Sequence, residues 1–287
     1  MAIETPQRLT DPESLRDWRA ARAKVHFVPT MGNLHEGHLA LARAARRDGA
    51  AVIASIFVNP AQFGPGEDFE RYPRTLPADL EALAGAGCDA VWVPEVATMY
   101  PLEETLRFSV RPPAALTDCL CGAARPGHFD GVCSVVLRLL WQIRPDRTVF
   151  GEKDYQQLLV IRRMVEDFSI PVAIDAVATV RAADGLALSS RNAYLDPDQR
   201  RRAPALYRIL SETAARAAEQ GPARYPALCE SARERLAAAG FEPVYVEFRD
   251  SGTLGPARGH NDRLFAAARL GKARLIDNVA VMRQIRR

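Results

Sequence analysis

The chain has 287 residues, 48% of them hydrophobic and 25% charged, with a formal net charge of +3. Such a chain can bury a large core in one or two domains, and its weak basicity hints at anionic ligands without arguing for nucleic acid. No apolar run approaches the roughly 20 residues of a membrane span, and residues 1–11 lack a signal-peptide core, so a cytoplasmic protein with no membrane partner is expected.

In chain order, residues 12–24 read as a short polar helix. Val25, His26, Phe27 and Val28 then form an apolar run that reads as a buried strand, stopped by Pro29 and Gly32. Residues 39–47 are good helix formers, so residues 35–47 are expected to be helical. Strand, glycine turn and helix in that order leave open N–H groups and a positive dipole end, which suit an anion such as phosphate. His35 and His38 are three residues apart and so share one face of that helix. Two imidazoles there can donate to phosphate oxygens as charge grows in a transition state; the plainer alternative is two surface histidines, or a helix cap. The zinc-protease motif needs histidines four apart, and no Gly-Lys-Ser/Thr follows to make a P-loop. The letters HEGH match the HxGH pattern of nucleotidyltransferases that resemble class I aminoacyl-tRNA synthetases. That pattern needs a second half elsewhere in the chain.

Residues 51–58 are almost continuously apolar, as in a strand buried on both faces. Asn59 and Gln62 follow its carboxyl end, where open α/β sheets bind ligands. They can present amides to a substrate, or be a turn asparagine and a surface glutamine. Residues 64–75 read as a loop and possible lid, 76–87 as a helix and 90–94 as a strand. Residues 95–125 look irregular apart from a strand near 107–110. Arg125 and His128 precede an apolar, interior helix over 131–143; they can reach an anion or tie loop backbone together. A strand at 148–150 runs into Gly151, Glu152, Lys153 and Asp154. Lys153 can act there as a point charge on phosphate, with Gln157 one turn further on. After a strand at 172–180, Ser189, Ser190 and Arg191 follow a glycine turn, offering two hydroxyls and a planar fork.

From residue 196 the pattern changes to helices at 198–220 and 225–239, then strands at 244–248, 263–270 and 273–277. That is a small α+β unit, with a boundary near 180–185. Arg200, Arg201 and Arg202 read as a solvated helix turn. The five cysteines, Cys88, Cys119, Cys121, Cys133 and Cys229, contain no CxxC pair and read as reduced thiols.

The stretches VPTMGNLHEGH, SIFVNPAQF, RYPRTL, RPGHFDGV, FGEKDYQQL, DGLALSSRN and ARLIDN run from residue 28 to residue 278. Together they resemble the pantothenate synthetase family, the pantoate–β-alanine ligases. HxGH marks a superfamily, whereas FVNPAQF with GEKDYQQ is specific to this family. The resemblance implies an α/β fold: a Rossmann-like parallel-sheet N-terminal domain over residues 1–182, binding nucleotide and pantoate, and a smaller α+β C-terminal lid domain over residues 183–287. It implies an AMP-forming ligase that makes pantothenate from pantoate and β-alanine through a pantoyl adenylate, in vitamin B5 and coenzyme A biosynthesis. ATP is then a substrate. Mg²⁺ is expected through the ATP phosphates, with no protein metal site, and the expected protein partner is a second copy in a homodimer.

Carried over by position, the ATP site is Met31, Gly32, Asn33, Leu34, His35, Glu36, Gly37 and His38, then Gly151, Glu152, Lys153 and Asp154, then Val180, Leu188, Ser189, Ser190 and Arg191. His38, His35 and Lys153 are the expected catalytic residues. Gln62 and Gln157 match the amides that hold pantoate, the Gln62 area also serves β-alanine, and Asn59 is a further substrate candidate. Leu188 stands where many relatives have Met, a volume-conserving change. Cys121 replaces a common acidic residue, and Ala178 a frequent Pro. Two other readings share some features. An adenylyltransferase for a phosphorylated substrate would keep the adenylate in its product. A nucleic-acid binder would use basic helices within 200–235 and bind salt-sensitively, against the unclustered charge.

Overall fold

The computed structural model describes residues 5–64, 67 and 69–282. Its elements are β1 (Gln7–Leu9), α1 (Pro12–Ala20), β2 (Val25–Thr30), α2 (Glu36–Ala45), β3 (Ala51–Ile56), α3 (Leu76–Gly85), β4 (Ala90–Trp92), α4 (Val96–Met99), α5 (Ala114–Thr117), α6 (Leu120–Ala124), α7 (His128–Ile143), β5 (Arg147–Gly151), α8 (Tyr155–Asp167), β6 (Ala173–Val177), α9 (Pro197–Arg202), α10 (Ala205–Gln220), α11 (Tyr225–Ala238), β7 (Glu242–Asp250), β8 (Asp262–Leu270) and β9 (Ala273–Ala280). The chain divides into two compact units. The first comprises Met1–Pro112, Arg125–Glu152 and Val160–Ala178; the second comprises Pro113–Ala124, Lys153–Leu159 and Thr179–Arg287.

The first unit is built on a six-stranded sheet in the order β1-β4-β3-β2-β5-β6, with every pair parallel. Phe27, Val28, Val52, Ile53, Ala54, Val91 and Trp92 are fully buried. Successive residues pointing to opposite faces are thus all covered, as a parallel sheet flanked by helices requires. Strands β2, β3 and β4 step one way across the sheet, and β5 and β6 step the other. The direction reverses between the neighbours β2 and β5. Ligands of open α/β sheets bind beyond the carboxyl ends of the strands at such a reversal.

Strand β1 escapes a sequence reading because it has three residues, of which only Leu9 is buried. The strand expected near 107–110 is absent among the described residues. Residues Glu104–Leu106 form a 3₁₀ turn, and the Val110 N–H donates to the Ser134 hydroxyl of α7 at 2.8 Å in place of a strand partner. Helix α7 is interior as expected. The possible lid over 64–75 includes Pro65, Gly66 and Asp68, which lie outside the described residues. Around them Phe63 packs its ring against Phe69 and Tyr72 at 5.4 and 6.0 Å.

The second unit is an α+β layer. Strands β7, β8 and β9 form an antiparallel sheet with β8 central and β9 at an edge. One face carries Leu264, Ala266, Ala268, Leu270 and Leu275, packed with Leu206, Ile209 and Leu210 of α10 and Leu228 and Leu236 of α11. The alternate face receives segments from earlier in the chain: the Phe265 ring meets Tyr155 at 5.9 Å, and the Tyr245 hydroxyl meets the Cys121 sulfur at 3.1 Å. Period-2 alternation thus buries both sides of the small sheet and draws residues 113–124 and 153–159 into its unit. The five cysteines are free thiols, and burial pushes Cys88 and Cys133 up to about 12. Among the described residues no helix is long and apolar enough to cross a membrane.

Candidate active site

The turn after β2 is made rigid by side chains the sequence does not single out. The Thr30 hydroxyl donates to the Ser55 carbonyl at 2.6 Å and accepts from the Gly32 N–H at 3.2 Å. Gly32 has φ +79°, a left-handed conformation that favours glycine, and a Cβ there would lie 3.0 Å from an Asp79 oxygen. Asp79, in the first turn of α3, is buried. Its Oδ2 accepts from the Asn33 N–H at 3.0 Å and its Oδ1 from the Leu34 N–H at 2.8 Å. The Thr75 hydroxyl adds a 3.1 Å hydrogen bond to Oδ2. A buried carboxylate accepting two backbone N–H groups fixes the turn through charge-assisted bonds.

Helix α2 starts one residue later than its expected beginning, and His35 is its N-cap. His35 Nδ1 accepts from the Gly37 N–H at 3.1 Å, and His38 Nδ1 accepts from the His35 N–H at 3.3 Å, a capping box built from two imidazoles. The rings lie 4.1 Å apart between centroids. A ring whose Nδ1 accepts a backbone N–H carries its proton, when neutral, on Nε2. The capping bonds therefore set the tautomer of both histidines and make Nε2–H the donor. Glu36 is exposed, ion-paired with Arg43, and this pairing lowers its pKa.

Replacing Asp79 by Asn should expose how far the turn depends on this clamp. One oxygen becomes an NH₂ facing a backbone N–H, at a cost of about 1–3 kcal/mol. We expect thermal unfolding to shift down and the ATP KM to rise, with the pantoate KM little changed. An unchanged ATP KM would separate Asp79 from the site.

After β3, Asn59 does not offer its amide outward. It is fully buried; its Oδ1 accepts from the Tyr100 hydroxyl at 2.8 Å and from the Ala61 N–H at 3.2 Å, and its Nδ2 donates to the Gly131 carbonyl at 3.1 Å. Burial raises the Tyr100 pKa and keeps that phenol a donor. These bonds anchor the Asn59 side chain inside the protein at the end of β3. Gln62, at the end of the same short 3₁₀ turn, is half-buried. Its carbonyl accepts from Arg125 Nη2 at 3.1 Å and meets His128 Nδ1 at 2.9 Å. Arg125 is bound in turn by Glu67, with Nε to Oε1 at 2.7 Å. Burial pushes the Glu67 pKa up, but the bonds and charge of Arg125 outweigh this and leave it lowered. Of the two readings open for Arg125 and His128, the structure supports the tie on loop backbone.

Strand β5, next to β2, ends at Gly151, and Glu152 follows in the same unit. Lys153 opens the Lys153–Leu159 segment of the second unit. Its side chain is 19% exposed and 3.5 Å from Asp154. The adjacent glutamines divide. Gln156 is buried, accepting from the Cys121 N–H at 2.9 Å and donating to the Leu116 and Cys119 carbonyls at 2.8 and 3.0 Å. Gln157 is half-buried. Further along, Leu188 donates its N–H to the Val180 carbonyl at 3.0 Å, closing a hairpin at the Arg181–Ala187 bridge. The Ser189 hydroxyl caps the following 3₁₀ turn by accepting from the Arg191 N–H at 3.3 Å. Ser190 and Arg191 are both half-buried.

A family model described as pantoate-beta-alanine ligase matches residues 3–280. The chain belongs to the pantoate–β-alanine ligase family. It is therefore an enzyme, a carbon–nitrogen bond-forming ligase. It is 53% identical over 273 residues to the pantothenate synthetase of Thiobacillus denitrificans, covering 93% of this chain and 95% of that one. It is 55% identical over 270 residues to that of Halorhodospira halophila, with 93% and 94% covered. Among solved structures, the pantothenate synthetase of Thermus thermophilus superposes with a TM-score of 0.88 at 47% identity, over 96% of this chain and 99% of that one. The Francisella tularensis ligase, solved in complex with beta-gamma ATP and β-alanine, gives 0.81 at 33% identity, over 96% and 98%. The family's fold agrees with the parallel sheet and small antiparallel sheet described above.

Proposed function

We propose that this ligase joins pantoate to β-alanine in two steps. The pantoate carboxylate attacks the α-phosphorus of ATP, the bond to pyrophosphate breaks, and pantoyl adenylate forms. The β-alanine amine then attacks the acyl carbon, AMP leaves with the acyl oxygen, and the amine loses a proton. The observation that carries this reading is the turn after β2, preset by Asp79, and the capped helix it opens, whose two imidazoles present Nε2–H donors that suit phosphate oxygens. Membership of the family, and the nucleotide and β-alanine held by the Francisella relative, support it.

In this reading Met31 to His38, Gly151 to Asp154, Val180 and Leu188 to Arg191 serve the nucleotide. His38, His35 and Lys153 neutralise charge as the α-phosphorus is attacked, which phosphoryl chemistry needs more than covalent help. Gln62 and Gln157 hold pantoate, the Gln62 turn being gripped from its carbonyl side. Among the described residues no group of three His, Cys, Asp or Glu could hold a metal. Mg²⁺ binds few protein carboxylates and takes its other ligands from phosphates and water, so it is expected on the ATP phosphates. The bound ion would add charge neutralisation. The domain roles proposed are nucleotide and pantoate binding for 1–182 and a lid for 183–287.

We assign the cytoplasm as its location, consistent with five free thiols. We also assign a homodimer: Phe108 and Trp141 are 93% and 75% exposed, and the Phe108 carbonyl accepts from Arg138, one helical turn before Trp141. Exposed large apolar side chains such as these would be covered by a second copy.

The deciding measurement is AMP formation with each substrate omitted in turn. AMP should require ATP, pantoate and β-alanine together, and pyrophosphate exchange into ATP should require pantoate alone. AMP release without β-alanine at the full rate would overturn the second step.

A further inference from the structure

The stretch ARLIDN has no role in the chemistry above, yet its last two residues hold the segments of the second unit assigned to the nucleotide. Asp277 and Asn278 are neighbours on β9, the edge strand, and their side chains point to opposite faces. Asp277 is buried and takes the Arg181 guanidinium in two bonds, Oδ1 from Nη2 at 2.9 Å and Oδ2 from Nη1 at 2.6 Å. Arg181 Nη1 also donates to the Gly185 carbonyl at 3.2 Å, and its guanidinium lies 3.5 Å from the Tyr207 ring centroid. This fastens the hairpin that leads into Leu188. The Asn278 amide donates from Nδ2 to the Lys153 carbonyl at 3.0 Å, while its Oδ1 accepts from Arg263. Arg263 lies 4.0 Å from the ring centroid of Tyr155, two residues after Lys153.

We propose that Asp277 and Asn278 are positioning residues, a bracket on one edge strand that sets Lys153 and the 188–191 turn at a fixed spacing for the triphosphate. The inference rests on the nucleotide reading of those two segments. Neither residue need touch ATP. Asn278 acts through the backbone of Lys153, and Asp277 through Arg181 and the hairpin. A planar, two-bond guanidinium contact on one side and an amide with both ends engaged on the other leave little room for either segment to slide. A displacement of about 1 Å in a charge-bearing group can cost on the order of a hundredfold in rate.

The test is Asn278→Asp in the full-length enzyme. The change keeps size and an oxygen for Arg263, but removes the N–H that holds the Lys153 carbonyl. Pantoate-dependent pyrophosphate exchange should fall by about tenfold or more. The ATP KM should rise while the pantoate KM stays within about twofold and the unfolding temperature within a few degrees. In a Lys153→Ala background the same substitution should add less than about twofold, because the charge it positions is gone. Wild-type exchange, equal rises in both KM values, or an undiminished loss in the Lys153→Ala background would each overturn the proposal. Failure of Asn278→Asp to fold would overturn it too, by making the bond structural. Lys153→Ala read alone reports on the underlying assignment: full exchange in that variant sinks the nucleotide reading itself, whatever Asn278 does.

Discussion

Lys153→Ala and His38→Ala should each yield folded protein whose pantoate-dependent pyrophosphate exchange is roughly 100- to 1,000-fold slower, about 2.7–4 kcal/mol of barrier. For Lys153 the argument is one of charge. Its ammonium belongs to a turn whose backbone is held by Asn278, so truncation removes a cation without releasing the chain. For His38 it is one of direction. Its Nδ1 is engaged by the His35 N–H, so the ring presents Nε2–H as donor; alanine removes that donor and half of the capping box. The cap contributes about 1 kcal/mol to the helix, so a small drop in melting temperature should accompany the His38 variant. The two losses should appear mainly in kcat, as expected for contacts that strengthen in the transition state. Wild-type exchange rates in both variants would remove these residues from the chemistry.

Gly131→Ala should damage pantoate binding from a position that never meets pantoate. Helix α7 passes so close to the turn after β3 that a Cβ on Gly131 would overlap the Ala61 carbonyl and lie 3.0 Å from the Gln62 nitrogen. Backbone atoms cannot step aside as a flexible side chain would, so the turn must shift, breaking the Asn59 bond to the Gly131 carbonyl. Overpacking of this kind costs about 1–3 kcal/mol of stability. With Gln62 displaced, we expect the pantoate KM to rise on the order of tenfold or more, while the ATP KM changes far less. Titration of each substrate at saturating levels of the other would check it. Equal rises in the two KM values would mean that Gln62 is not the pantoate amide.

The elements that were readable in the sequence are those whose signals are local. Continuous apolar runs gave away β2 and β3, and HEGH and GEKDYQQ packed their chemistry into a few consecutive residues. Contacts across long sequence separations were not readable. Asp79 clamps Asn33 from 46 residues away, Tyr100 engages Asn59 from 41, and Gly131 receives the Asn59 amide from 72. Nothing in the short sequence around Asp79 distinguishes it from other helix-start acids. Asn59 shows the same limit: its bonds to Tyr100 and Gly131 span separations that no local pattern reveals. Gln156 and Gln157 show a finer ambiguity. Adjacent helix positions point about 100° apart, so one is drawn inward and the other is not, and the phase depends on what packs against α8.

Because Asp79 already satisfies the Asn33 and Leu34 N–H groups, the corner after β2 needs no ordering when nucleotide arrives. If nucleotide binds here as proposed, it should forfeit little chain entropy at this corner. Any slow isomerisation in nucleotide association is then expected to originate elsewhere in the polypeptide, and inhibitors shaped to this corner should meet a surface already formed.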